Sequence, residues 1–145
     1  MGTFHTNCEI ENPAERQRSA LLSKLLVDTS SEFTWIAATT LDRIGVRHEQ
    51  KEVSFVMANG GHVTRRVGFA IIRLDQYFTI DEVVFAEPGD LMLLGARTLE
   101  GLNLMVDPSR RRLVAAGPVP AASPTQPRLA AARRISNRSR RAKAA

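Results

Sequence analysis

Apolar and polar positions run along the chain in several rhythms. Residues 21–27, Leu-Leu-Ser-Lys-Leu-Leu-Val, form a short apolar run that ends at Asp28. A run of that length closed by a carboxylate predicts a buried strand that delivers Asp28 into a loop. Residues 39–44 carry helical spacing, with Thr39 or Thr40 placed to cap a short helix and Gly45 just past its end. Between residues 53 and 72, two β runs flank Asn59-Gly60-Gly61. Asn and Gly accept positive φ, so this pattern predicts a β-hairpin. Residues 79–85 predict another strand, residues 87–90 a turn, and residues 91–94 a short buried strand ending at Gly95. Residues 97–102 suit one or two helical turns, and residues 104–106 and 112–114 flank a turn at Asp107-Pro108-Ser109. The chain has no internal repeat, and the pattern as a whole predicts a mostly β fold.

A chain of 145 residues can bury one real hydrophobic core and is too short to expect two. Gly117-Pro118-Val119-Pro120 begins a shift to Pro, Ala, Ser, Thr and Arg, which places the end of the domain near residue 116. The formal charge of +5 looks like a nucleic-acid or membrane signal until it is located along the chain. Arg128, Arg133, Arg134, Arg138, Arg140, Arg141 and Lys143 follow that boundary with no acid among them. The other 13 basic residues face all 15 acids, so residues 1–116 carry a net −2. The basic character belongs to residues 117–145, which have too few large apolar side chains to offset the entropy of ordering. A disordered tail is expected there, with a transient helix over 128–134; it reads first as a solvated extension and alternatively as a tether whose weak binding to nucleic acid or acidic partners falls with salt.

Several chemistries are excluded or left without support. Cys8 is the single cysteine, so there is no intramolecular disulfide and no cysteine-based zinc site within one chain. Beside an untethered N-terminus it reads as a spectator thiol. No apolar run reaches the roughly 18 to 20 residues that cross a bilayer, and the N-terminus does not read as a signal peptide, so a soluble cytoplasmic protein without a membrane partner is expected. His5, His48 and His62 lack metal-ligand spacing and read as surface residues; no metal and no cofactor is implied. Ser30 and Ser31 lack the G-x-S-x-G context of a serine hydrolase. Arg65-Arg66 and Arg110-Arg111-Arg112 read as solvated charge runs, and Asp42, Asp75, Asp81, Asp90 and Asp107 as residues of ordinary surface or turn contexts.

What remains is an ordered series: Leu25-Leu26-Val27-Asp28-Thr29-Ser30-Ser31, then Trp35-Ile36, then the hairpin tipped by Gly60-Gly61, then Leu93-Leu94-Gly95-Ala96. This series resembles the retropepsin-like aspartic proteases, whose signature is two apolar residues followed by Asp-Thr/Ser-Gly, a glycine-tipped flap, and an apolar-apolar-Gly segment before a short helix. Residues 93–102 and Val106-Asp107-Pro108 are similar to bacterial members of that family, and the resemblance covers roughly residues 19–116. It implies an acid-protease barrel with a flap hairpin and one or two short helices. It also implies an aspartic endopeptidase acting on peptide or protein substrates, with Asp28 as the catalytic carboxylate.

Two adjacent carboxyls that share a proton can take a proton from water and donate one to the substrate. Only one apolar-Asp-Thr segment is present, so the resemblance implies a homodimer in which two copies of Asp28 meet on a two-fold axis. Thr29 would brace the two loops across that axis, and the N–H of residue 30 would point at the carboxylates. Asn59, Gly60 and Gly61 would form the flap tip. Trp35 reads either as support for the flap or as a plain core residue, while Leu94, Gly95 and Ala96 would pack behind the active loop, glycine being needed for close approach. Ser30 stands where the family has glycine. At negative φ a serine keeps the backbone donor and catalysis can survive; at positive φ, or where glycine is needed for close approach, it would strain the loop by about 1–3 kcal/mol and leave a peptide-binding or dimerisation module that does not hydrolyse. A third reading makes the β domain an assembly unit for a tail that binds nucleic acid.

Overall fold

The computed structural model describes residues 4–122. The expected tail disorder and the expected helix over 128–134 therefore fall, wholly or mostly, outside the described residues.

Nine strands and two short helices follow one another in the described chain: β1 Phe4–Glu11, β2 Ser19–Val27, β3 Thr34–Ala37, α1 Ala38–Arg43, β4 His48–Val56, β5 His62–Leu74, β6 Tyr77–Ala86, β7 Leu93–Leu94, α2 Ala96–Leu102, β8 Leu104–Asp107 and β9 Arg112–Ala115. The fold is mostly β, as the hydrophobic pattern predicts. Seven strands form a mixed sheet in the order β1-β2-β7-β3-β6-β5-β4, and β1 also pairs with β5. Ile10 faces Ala20 of β2 on one side and Ile72 of β5 on the other. The pairings thus close a ring of six strands, with β4 attached outside it to β5. Strands β8 and β9 make a separate hairpin across the Asp107-Pro108-Ser109 turn.

The strands at the middle of the sheet are apolar on both faces, which explains their continuous hydrophobic runs. Successive side chains point to opposite faces. Ile36, Phe85, Leu94 and Val27 therefore enter the main core with Ile10, Leu41, Ile72 and Leu99. Their neighbours Trp35, Val84 and Leu93 form a second apolar cluster with Val67 and Ala86. That second cluster is the floor on which the candidate site rests.

Four expectations need correction. Strand β1 was not predicted, and Cys8 within it is a core residue only 5% exposed rather than a spectator at a loose terminus. Burial pushes its thiol up to about 12, because the thiolate would lose its hydration. Helix α1 starts at Ala38 with Ala37 at the cap and no side-chain cap bond, so neither Thr39 nor Thr40 caps it. Gly45 does lie past its end, at φ +78°. Strand β7 is limited to Leu93–Leu94, since Leu91 and Met92 are exposed instead of buried. Among the described residues, no helix is long and apolar enough to cross a membrane.

Candidate active site

Strand β2 runs out at Val27, and the next residue is held by the neighbouring strand. The Asp28 N–H donates to the Leu94 carbonyl (3.0 Å), extending the parallel β2–β7 pairing by one residue. The Ser31 N–H then donates to the Asp28 carbonyl (3.3 Å) and closes a turn. Within it, Ser30 gives the Asp28 carboxylate two hydrogen bonds on one oxygen: its N–H reaches Oδ1 at 3.0 Å and its hydroxyl reaches Oδ1 at 2.5 Å. The non-glycine residues with positive φ among those described are Lys24, Asp75, Asn103 and Arg111. Ser30 is not one of them, so its Cβ causes no left-handed strain and its backbone donor is kept.

The loop is tied to helix α2 through the helix's own unpaired ends. The first N–H groups of any helix lack intrahelical partners. Here Ala96 donates to the Ser31 carbonyl (2.8 Å) and Arg97 to the Glu32 carbonyl (3.0 Å), so the loop that follows Asp28 caps the helix in place of a capping side chain. This brings the Phe33 carbonyl so near residue 95 that a Cβ there would lie 2.3 Å from its oxygen. Gly95 is therefore required by close approach, as the resemblance implies.

Behind the loop lies a buried polar relay that the sequence reading missed. The Gly95 N–H donates to Thr34 Oγ1 (2.9 Å), the two threonine hydroxyls of Thr34 and Thr98 are 2.5 Å apart, and the Thr98 hydroxyl donates to Asp81 Oδ2 (2.8 Å). Since Thr98 spends its one proton on Asp81, the Thr34 hydroxyl must donate to Thr98. Both threonines are fully buried. Asp81 ends this relay rather than standing in an ordinary surface context.

A cleft of about 590 Å³ opens over the loop. Asp28, Ser30 and Ser31 line one side, Phe33, Trp35 and Leu93 the floor, residues 53–58 of the hairpin the other side, and residues 89–91 one end. The hairpin is tightly turned at its tip: Met57 N–H to Gly61 O (2.7 Å), Gly60 N–H to Met57 O (2.8 Å) and Gly61 N–H to Asn59 Oδ1 (2.9 Å), with Gly60 at φ +84°. Phe55 of the hairpin packs on Trp35, with ring centroids 4.8 Å apart, and edge-on to Phe33 at 5.5 Å. Trp35 is thus both a buried residue and a support for the hairpin, and the two readings of it are compatible.

The expected site residues divide into three groups. Asp28, Ser30, Ser31 and Trp35 converge on the cleft, and Leu94, Gly95 and Ala96 hold the loop from behind. Asn59, Gly60 and Gly61 shape the hairpin tip but do not line the cleft; the stretch before them does. Thr29 is exposed, and its hydroxyl has no partner among the described residues.

Two further acids line the cleft, and each has a cation. Glu32 meets Arg97 at 3.3 Å, and that guanidinium also sits over the Phe33 ring at 4.4 Å. Asp90 receives a two-pronged bond from Arg65, Nε to Oδ2 at 2.7 Å and Nη2 to Oδ1 at 2.9 Å. Arg65 is therefore not part of a solvated charge run, and Asp90 is not an ordinary turn residue: their side chains are 13% and 10% exposed. The Arg65 guanidinium holds the Asp90 carboxyl below the usual carboxylate range, assisted by the Glu87 N–H and opposed by partial burial. Among the described residues, Asp28 is the one acid lining the cleft with no cation beside it. Among the described residues no group of His, Cys, Asp and Glu is placed to hold a metal ion. No protein-family model matches the chain, and no curated protein matches it in sequence.

Proposed function

We propose that the chain is a retropepsin-like aspartic endopeptidase whose catalytic pair is Asp28 from each of two identical copies. The observation that carries this reading is Asp28 itself: a half-buried carboxylate without a cationic partner, fixed by backbone and Ser30 donors, facing a cleft roofed by a β-hairpin. A carboxylate in that setting is free to bind water, whereas Glu32 and Asp90 are committed to Arg97 and Arg65. A single chain supplies one such group. With its counterpart across a two-fold axis, an ionised Asp28 takes a proton from water as the oxygen attacks the peptide carbonyl, and the protonated Asp28 of the other copy donates to the carbonyl oxygen. Proton transfer to the amide nitrogen then releases the amine. The exposed Thr29 is available to a partner loop, and the edges of β4 and the cleft floor suit an extended peptide bound through its main chain.

Ser30 in place of glycine is compatible with this chemistry, because its backbone donor is retained at negative φ. The basic residues between 128 and 143 lie outside the described region; an electrostatic attachment to nucleic acid or acidic partners is proposed for them, to be read as binding that weakens steeply with salt.

The test is cleavage of a mixed peptide library between about pH 3.5 and 7, where carboxyl pairs titrate or have titrated. Asp28→Asn and Ser30→Gly are run beside the wild type, and sedimentation reports the oligomer. Cleavage by the wild type that vanishes in Asp28→Asn is the expected result. A silent wild type beside a cleaving Ser30→Gly variant would instead establish a peptide-binding or dimerisation module whose own loop prevents hydrolysis, and silence from both would remove the protease reading.

A further inference from the structure

The third residue of the Asp28-Thr29-Ser30 loop does more than replace a glycine. Its N–H and its hydroxyl converge on one carboxylate oxygen, Asp28 Oδ1, at 3.0 and 2.5 Å. We infer that Ser30 is a positioning residue that holds Asp28 Oδ1 as an acceptor, so that Oδ2 is the oxygen left to handle the catalytic proton. The inference deepens the aspartic-protease reading and rests on it for its catalytic meaning, but the geometry concerns Asp28 in this chain whatever the chain cleaves.

Both donors come from one residue two positions along a turn, so the turn itself fixes the N–H on Oδ1 and a single side-chain torsion adds the hydroxyl. An oxygen that accepts two hydrogen bonds is a poor place for a proton, because protonation there would break at least one of them. Oδ2 receives neither bond and is the oxygen left to take or give a proton. A glycine would supply only the N–H; the hydroxyl is the addition, and a short hydroxyl–carboxylate contact is the stronger kind of hydrogen bond.

Among the described residues, no other charge near Asp28 offers the same effect. The other titratable groups lining the cleft are Glu32 and Asp90, held by Arg97 of α2 and Arg65 of β5. The lining stretch of the β4 hairpin, Val53-Ser54-Phe55-Val56-Met57-Ala58, contributes none, and β7 supplies only Leu93 and Leu94. On β1, the residues paired with the end of β2 are Phe4 and His5, opposite Val27 and Leu26, and His5 is exposed. The Ser30 donors are therefore the nearest polar influence on the carboxylate.

The experiment follows the Asp28 side-chain carboxyl carbon by NMR in the full chain at neutral pH, with the signal assigned by its loss in Asp28→Asn. Ser30→Ala and Ser30→Gly remove the hydroxyl and keep the N–H, while Ser30→Thr keeps both. Ser30 is exposed at ordinary φ, so these variants are expected to fold, and the remaining carboxyl signals report on that. The expected result is an Asp28 carboxyl carbon signal displaced in the Ala and Gly variants, through loss of the hydroxyl bond to Oδ1, and restored by Thr. If cleavage is also present, the pH profile of kcat/KM should change in the same variants and be restored by Thr. An Asp28 carboxyl signal that is unmoved in both Ala and Gly overturns the inference. A signal that moves in a chain without cleavage sustains the role of Ser30 on Asp28 and discards only the protease reading.

Discussion

Arg65, on the strand that returns from the hairpin tip, grips both carboxylate oxygens of Asp90 in the turn beside the cleft, at 2.7 and 2.9 Å. The contact joins the stem of the hairpin to the wall it would close against. It lies below the tip and so fixes the stem of the hairpin beside the cleft.

Asp90→Asn is expected to destabilise the fold by about 2 kcal/mol at neutral pH, since it removes the two-pronged charge partner of a largely buried guanidinium and leaves it only the more distant Glu87 carboxylate at 3.5 Å. Arg65→Lys should recover only part of the interaction, because an ammonium cannot reproduce the two-pronged geometry. The pH dependence has a definite sign. Arg65 depresses the Asp90 carboxyl, so its contribution is fully present above the unfolded value near about 3.9 and is lost as pH falls through the lower folded value. Urea midpoints of wild type and Asp90→Asn should therefore differ most near neutrality and converge below about pH 4. A gap that persists undiminished at low pH would show that the charge of Asp90 is not its source.

Gly95→Ala is expected to cost about 3 kcal/mol or to prevent folding, because the new Cβ would meet backbone, the Phe33 carbonyl oxygen at 2.3 Å, rather than a side chain that can swing away. Gly60→Ala meets no atom within 4 Å and should cost only about 1 kcal/mol, through its φ of +84°. The contrast separates a glycine kept for space from one kept for backbone freedom, and chemical denaturation of the two variants measures it.

Thr34→Val removes the hydroxyl that receives the Gly95 N–H and donates to Thr98 while nearly preserving shape. Two buried groups lose a partner, so a loss of about 1–3 kcal/mol is expected. Amide exchange at Gly95 should accelerate beyond that of the β5–β6 ladder, locating the damage at the active loop. Equal acceleration everywhere would mean that the relay serves global stability alone.

The parts of this site that were legible in the sequence are those encoded over a few adjacent residues. An apolar run ending at Asp28, the Asn59-Gly60-Gly61 turn and a glycine after Leu93-Leu94 each carry local signals; the first and third meet where the Asp28 N–H bonds the Leu94 carbonyl, and the turn forms the hairpin tip outside the cleft. The Arg65–Asp90 fork, the Thr34–Thr98–Asp81 relay and the Phe55–Trp35 contact join residues 17 to 64 positions apart, or lie on facing elements, and no spacing rule reports them. Strand β1 was missed because its inward positions are Phe4, Thr6, Cys8 and Ile10, too mixed in polarity for alternation to stand out. Strand β7 was overextended because Leu91 and Met92 are apolar yet lie at the cleft mouth and beside it, where exposure follows from topology rather than composition.

Cys8 is expected to be inert in the native state. It is buried in β1 with its thiol pushed up to about 12, so the thiolate that reacts with maleimides or disulfide reagents is scarce and shielded. At pH 8 the native chain should label only through unfolding, at a rate that rises with urea, and full labelling should require denaturation. Rapid stoichiometric labelling of the native chain would show that β1 leaves the sheet readily.

Phe55→Ala tests whether the hairpin bears on the cleft floor through its aromatic contact. Phe55 is packed on Trp35 and Phe33, and Trp35 is the single tryptophan of the chain, so its emission reports on this contact alone. Removing the ring admits water to the indole, and the emission should move to longer wavelength without loss of the β-sheet signal in circular dichroism. If the chain cleaves peptides, kcat/KM should fall roughly tenfold, the equivalent of a kcal/mol or so of lost packing, and most of the loss should appear in KM because a loosened hairpin weakens peptide binding before it touches the carboxylates. A loss confined to kcat, with emission unchanged, would mean that Phe55 acts on the Asp28 loop through Phe33 and not by closing the hairpin over the substrate.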